Sequence, residues 1–177
     1  GLNKAFPNIR EDGLMSIKQP FKFINSQSGH FSNFTTLAAI GVGRKNALRI
    51  PADERNVIDI AKFKSTLEQC FSEGVIVPTV LITIGTTDAC SLDDINKVSA
   101  VINELSVKYP KMHKPHLHVD AAIGWALSFY NDYDLDENKL FFRKSVIEKM
   151  HNIQNVCKSF HLADSITIDV HKTGYAP

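Results

Sequence analysis

Residues 59–85, DIAKFKSTLEQCFSEGVIVPTVLITIG, carry both of the periods on which the fold turns. Behind Asp59, the apolar positions Ile60, Phe63, Leu67, Cys70 and Phe71 recur at helical spacing, and Gly74 stands where a left-handed cap would close the helix. Val75 to Ile84 is then rich in Val, Ile and Thr without strict alternation, the pattern of a strand covered on both faces, and Gly85 ends it. An amphipathic helix feeding a doubly buried strand is half of a parallel crossover unit.

The flanking sequence repeats that unit. Upstream, Phe21 to Asn25 reads as a strand ending in the turn-forming Ser26-Gln27-Ser28-Gly29, with His30 just beyond. A short helix from Asn33 is closed by Gly41 and Gly43, and Ala47 to Ile50 reads as a strand stopped by Pro51. Downstream, Ser91 and Asp94 form a capping-box-like start to a helix through Ile95, Val98, Ile102 and Leu105, closed by Pro110. Leu117 to Ala121 is a strand and Asn131 to Asn138 a polar surface loop. A helix runs through Val146, Ile153 and Val156, and Ser165 to Ile168 is the last strand. Strands alternating with helices predict an α/β fold, a mostly parallel sheet flanked by helices, within one domain over 1–177.

Composition narrows the function classes. With 44% hydrophobic and 22% charged residues the chain is an ordinary globular sequence, and a formal charge of +1 with scattered basic residues gives no footprint for nucleic acid. The longest apolar run is too short for a bilayer, and no signal peptide is apparent at the first residues, so a cytoplasmic protein with no membrane segment is expected. Cys70, Cys90 and Cys157 lack C-x-x-C spacing, which argues against a disulfide framework or a zinc site. Cys70 is expected in the core, and Cys90 is read as a small packing residue near the site.

In parallel sheets ligands bind beyond the carboxyl ends of the strands. Polar segments gather there: GTTDACSLDD at 85–94, HLHVDAA at 116–122 and DVHK at 169–172. Lys172 could present an amine made nucleophilic by desolvation, although a loop lysine taken alone is more often a solvated charge. Asp120 follows buried strand positions, and a buried carboxylate needs a partner; alone it would read as a structural salt bridge or cap. A different reading takes His116, His118 and Asp120 as a metal-ligand set on one strand face, completed by His171 or Asp169 as in metal-dependent hydrolases. A third is a non-catalytic assembly unit.

The segments GTTDACSLDD, HVDAA and ADSITIDVHKTGYAP, in that order and preceded by SGHFSN, resemble the pyridoxal-phosphate-dependent amino-acid decarboxylases acting on glutamate, aspartate, tyrosine and aromatic amino acids. The likeness runs from about Phe21 to Pro177, and residues 123–162 are most similar to the microbial tyrosine and aspartate enzymes. It implies a fragment of an aspartate-aminotransferase-like large domain, with pyridoxal 5'-phosphate as cofactor, an acidic or aromatic amino acid as substrate and a homodimeric full-length protein. It further implies that Lys172 holds the cofactor as a Schiff base, that Asp120 pairs with the protonated pyridine nitrogen and that His30 stacks on the ring. Thr87 would lie near the ring, Ala122 beneath it, and Asp169 and His171 at the phosphate or substrate; no metal is implied. The chain departs from the family at Val170, where Pro is usual, at Ile123-Gly124-Trp125, and at Asp169, which is Asn in some relatives. No counterpart of the family's glycine-rich phosphate loop precedes His30, and its small C-terminal domain has no counterpart either.

Overall fold

The computed structural model describes residues 1–173. Two one-turn helices, α1 (Leu2–Ala5) and α2 (Ile9–Asp12), lead into strand β1 (Phe23–Ser26), helix α3 (Ser32–Ala39) and strand β2 (Ala47–Ile50). There follow α4 (Ile60–Ser72), β3 (Thr79–Thr83), α5 (Ile95–Lys108), β4 (His116–Asp120), α6 (Lys144–Cys157), β5 (Ser165–Thr167) and the single turn α7 (Val170–Thr173). The five strands form one sheet in the order β2-β1-β3-β4-β5, and every pairing is parallel. The chain steps from β1 to β2, then crosses back over β1 to β3, so the connections diverge between β1 and β3. That divergence opens a crevice at the carboxyl edge of the sheet.

Local sequence accounts for the elements. Asp59 caps α4 by accepting the Lys62 amide at 3.0 Å, and Gly74, at φ +71, closes the helix. Helix α5 starts three residues later than the capping-box reading places it: Asp94 itself is the cap and accepts the Lys97 amide. Ser91 is instead tied to Thr86 and to the Asn56 carbonyl. The strand expected over Val75 to Ile84 is trimmed to Thr79–Thr83, because Pro78 has no N–H to give the ladder. Ile76 still bridges Phe21 ahead of that break.

Strand residues Ile24, Val80, Ile82, Leu117 and Val119 pack with Phe63 and Leu67 of α4 and Val98, Ile102 and Leu105 of α5 in one core. Each such side chain contributes roughly 1.5–3 kcal/mol of burial free energy. Cys70 is buried there as expected, whereas Cys90 is exposed at φ +50, which corrects its reading as a packing residue. No helix among the described residues is long and apolar enough to cross a membrane.

Candidate active site

A cavity of about 300 Å3 opens where the carboxyl ends of β1, β3, β4 and β5 meet. It is lined by His30 after β1, by Thr83, Gly85 and Thr87 at the end of β3, by His118, Asp120 and Ala122 from β4 and its exit, and by Thr167, Asp169 and Lys172 from β5 and α7. Lys172 and Asp120, 52 positions apart in sequence, thus face one space from neighbouring strand ends.

Two glycines let the backbones meet beneath this space. Gly124 donates its amide to the Ile84 carbonyl at 3.0 Å, and a Cβ on Gly124 would overlap that carbonyl, 2.6 Å from its carbon. Gly85 lies at φ +84, and a Cβ there would stand 2.7 Å from the Gly124 nitrogen. The exit of β4 is thereby pressed against the end of β3, which puts Asp120 and Ala122 beside Thr83 and Thr87. One Asp120 oxygen accepts the Ala122 amide at 3.1 Å.

On the other side, α7 is docked by side chains. Trp125 donates its indole N–H to the Asp169 carbonyl at 3.1 Å, and the Thr173 hydroxyl donates to the Ile123 carbonyl at 3.3 Å. The Asp169 carboxylate holds two neighbours, His171 through Nδ1 and Lys172 with Nζ at 3.4 Å. An anion at Asp169 is therefore already compensated. His171 itself does not line the cavity; its contact is with Asp169. Gly174 to Pro177, the end of the recognised motif, lie outside the described residues.

His30 is oriented by the Ser32 hydroxyl at 2.8 Å from Nδ1 and by Phe31, whose ring centroid is 4.3 Å away. Two buried polar atoms on the lining, Asn33 Nδ2 and Thr83 Oγ1, have no hydrogen-bond partner among the described residues. Buried polar groups are nearly always satisfied, so both suit a polar ligand in this cavity. An amine, a carboxylate, an imidazole face and two free polar atoms around this volume match a pyridoxal-type cofactor in chemistry and in size.

The metal-ligand reading is not supported by what surrounds the histidines. Both ring nitrogens of His118 are engaged, Nδ1 by Ser165 Oγ at 2.8 Å and Nε2 by Thr167 Oγ1 at 3.1 Å, and His116 Nε2 is engaged by the same Ser165 hydroxyl at 2.7 Å. Among the described residues no three His, Cys, Asp or Glu side chains stand together as ligands.

Sequence reasoning passed over Asp93. It is 1% exposed, and its carboxylate accepts the Thr83 amide at 2.9 Å and the Ile58 amide at 2.6 Å, while its own amide donates to the Thr83 carbonyl at 3.0 Å. Burial pushes this carboxyl up, against the backbone amides of Thr83 and Ile58, which favour the anion. Asp93 thus fixes the strand end from which Thr83 reaches the cavity. Its neighbour Asp94 carried the visible signal, a helix cap, and hid it.

Comparison with known proteins bears on the family and the fold. Residues 3–133 match the pyridoxal-dependent decarboxylase conserved domain. The chain is 28% identical over 166 residues to the L-2,4-diaminobutyrate decarboxylase of Acinetobacter baumannii, covering 93% of this chain and 27% of that protein. It is 28% identical over 172 residues to the L-tyrosine decarboxylase of Levilactobacillus brevis, covering 88% and 26% respectively. The chain therefore spans about a quarter of the length of these relatives. In fold it is similar to the crystal structure of mouse CSAD, with a TM-score of 0.71 at 21% identity over 99% of this chain and 31% of that one. The glutamate decarboxylase domain from Vibrio parahaemolyticus gives 0.67 at 24% identity, over 98% and 33%. The parallel five-stranded sheet, the cavity at its carboxyl edge and the match over residues 3–133 together place this chain in the pyridoxal-dependent decarboxylase family.

Proposed function

We propose that the polypeptide carrying this chain is a pyridoxal-phosphate-dependent amino-acid decarboxylase, and that this chain is an incomplete part of its cofactor-binding large domain. The observation that carries the reading is that Lys172, Asp120, His30 and Thr87 line a single cavity at the carboxyl edge of a parallel sheet. When bound, the cofactor supplies an electron sink for the pair left on the substrate α-carbon as carbon dioxide departs.

The chain's own residues then have distinct tasks. Lys172 holds the cofactor through its amine, which before loading rests against Asp169. Asp120 keeps a proton on the pyridine nitrogen by charge. His30, set by Ser32 and Phe31, would stack on the cofactor ring, with Ala122 and Thr87 also on the lining. Asp169 acts near the phosphate or substrate, and His171 holds its carboxylate from outside the lining. The substrate is an amino acid with an acidic or aromatic side chain; the likeness to a 2,4-diaminobutyrate enzyme adds a basic side chain to the candidates. A cytoplasmic homodimer is the assembly we infer for the whole protein.

The test uses the full-length polypeptide. Loaded with pyridoxal phosphate, it is expected to show the visible absorption of lysine-bound cofactor, to lose it in Lys172→Ala, and to release carbon dioxide from one of aspartate, glutamate, tyrosine or 2,4-diaminobutyrate. Visible absorption that survives Lys172→Ala unchanged, or no release from any amino acid, would defeat the proposal.

A further inference from the structure

Strand β5 is three residues long and sits at the sheet's edge, yet it leads directly to Asp169 and Lys172. Its backbone ladder to β4 is correspondingly short: His118 faces Ser165, Val119 faces Ile166 and Asp120 faces Thr167. A second set of bonds runs along the same seam in side chains. His116 Nε2 lies 2.7 Å from Ser165 Oγ, which lies 2.8 Å from His118 Nδ1, and His118 Nε2 lies 3.1 Å from Thr167 Oγ1. The imidazole of His118 therefore spans the two β5 hydroxyls, and both it and Thr167 border the cavity beside Asp120.

The line has a chemical constraint. Ser165 has one hydroxyl proton, so it can donate to only one of the two rings and must accept from the other. If Ser165 donates to His118 Nδ1, the His118 proton sits on Nε2 and is given to Thr167; in the reverse polarity Thr167 donates. In both of these polarities His118 is a neutral ring with one donor and one acceptor. The two hydroxyls can also both accept from a doubly protonated ring, and burial, which lowers its proton affinity despite Asp120, disfavours that charged form. A neutral ring leaves Asp120 as the charge on that strand face of the cavity.

We propose that His118 is a positioning residue: by bridging Ser165 and Thr167 as a neutral imidazole, it holds β5, and with it Asp169 and Lys172, in register with Asp120. The proposal rests on the cofactor-binding reading of the cavity. It assigns His118 a task that neither a metal ligand nor an inert core histidine would have.

Full-length protein with His118→Phe, His118→Gln and His118→Asn separates the possibilities. Phe keeps the ring volume and loses both bonds, Gln can reach the Thr167 side, and Asn can reach only the Ser165 side. The expected result is cofactor affinity about tenfold weaker in Phe, largely restored in Gln and less so in Asn, since one or two lost hydrogen bonds are at stake. In the cofactor-free protein, histidine-selective 15N spectra should show His118 as one neutral tautomer, whose ratio shifts in Thr167→Val. Cofactor affinity that is unchanged in Phe, or reduced equally in all three variants, would overturn the positioning role while leaving the decarboxylase reading intact. Wild-type protein that takes up no pyridoxal phosphate would overturn that reading and this one together. Should the His118 variants not fold, Thr167→Val supplies both measurements, with weaker cofactor binding and a shifted tautomer ratio expected and no change in either counting against the role.

Discussion

The end of β3 and the end of β5 supply opposite walls of one cavity, and they are built in different ways. At β3 the backbone of Thr83 is gripped from both sides by Asp93, in a region where Ile82, Ile84 and Asp93 are at most 1% exposed. At β5 the strand lies on the sheet margin, Ile166, Ile168 and Val170 are exposed, and the segment is tied down by Trp125, Thr173 and the His118 bridge. The Thr83–Asp120 wall is therefore preorganised by the core, whereas the Lys172 wall is placed by a few side-chain bonds. Damage to the first should appear as lost stability, and damage to the second as lost cofactor.

The sharpest way to break this contrast is Asp93→Ala. It strands the Thr83 and Ile58 amides in the interior, and chemical denaturation should show a loss of about 3–4 kcal/mol, at one to three for each buried donor left unpaired. Next is Gly124→Ala, whose added methyl meets the Ile84 carbonyl and must push the β4 exit away from β3. The same measurement should register about 2–3 kcal/mol, the usual range for overpacking. On the other wall, Trp125→Phe removes one bond to the Asp169 carbonyl and should cost only about 1 kcal/mol of stability. Its cofactor affinity should nonetheless fall more than that of Asp93→Asn normalised to equal stability; the opposite order would erase the distinction between the walls.

The smallest expected effect is a dependence on pH. Burial lowers the imidazoles of His113, His116 and His118 below the usual 6.5, so between that value and their folded values the unfolded chain binds more protons than the folded one. Stability present above pH 6.5 should thus decline as pH falls through that window and level off below it. Thermal melts between pH 7 and 5 should show this slope, and His118→Phe should flatten it.

Much of the fold was legible because its signals are local. The Asp59 cap, the Phe63–Leu67–Cys70 stripe and the Gly74 stop stand within one helix length, and the polar segments at strand ends follow from the parallel topology. Lys172, Asp120, His30, Thr87, Ala122 and Asp169 do line one space. What escaped depended on distant partners. Gly85 and Gly124 have meaning only in each other's presence, Asp93 only against Thr83 and Ile58, and His118 only once β5 is laid beside β4. His171 sits next to Lys172 in sequence, but the turn of α7 sends it to Asp169 and away from the lining.

The backbone contact at Gly85 and Gly124 carries a lesson for altering this protein. A floor made of peptide groups at contact distance offers no side chain to enlarge, shrink or recharge, so laboratory redesign of ligand preference has little purchase there. Diversification has to proceed from the encircling residues that do possess side chains, such as Ser32, Asn33, Thr87 and Ile123, while the base beneath them is kept constant.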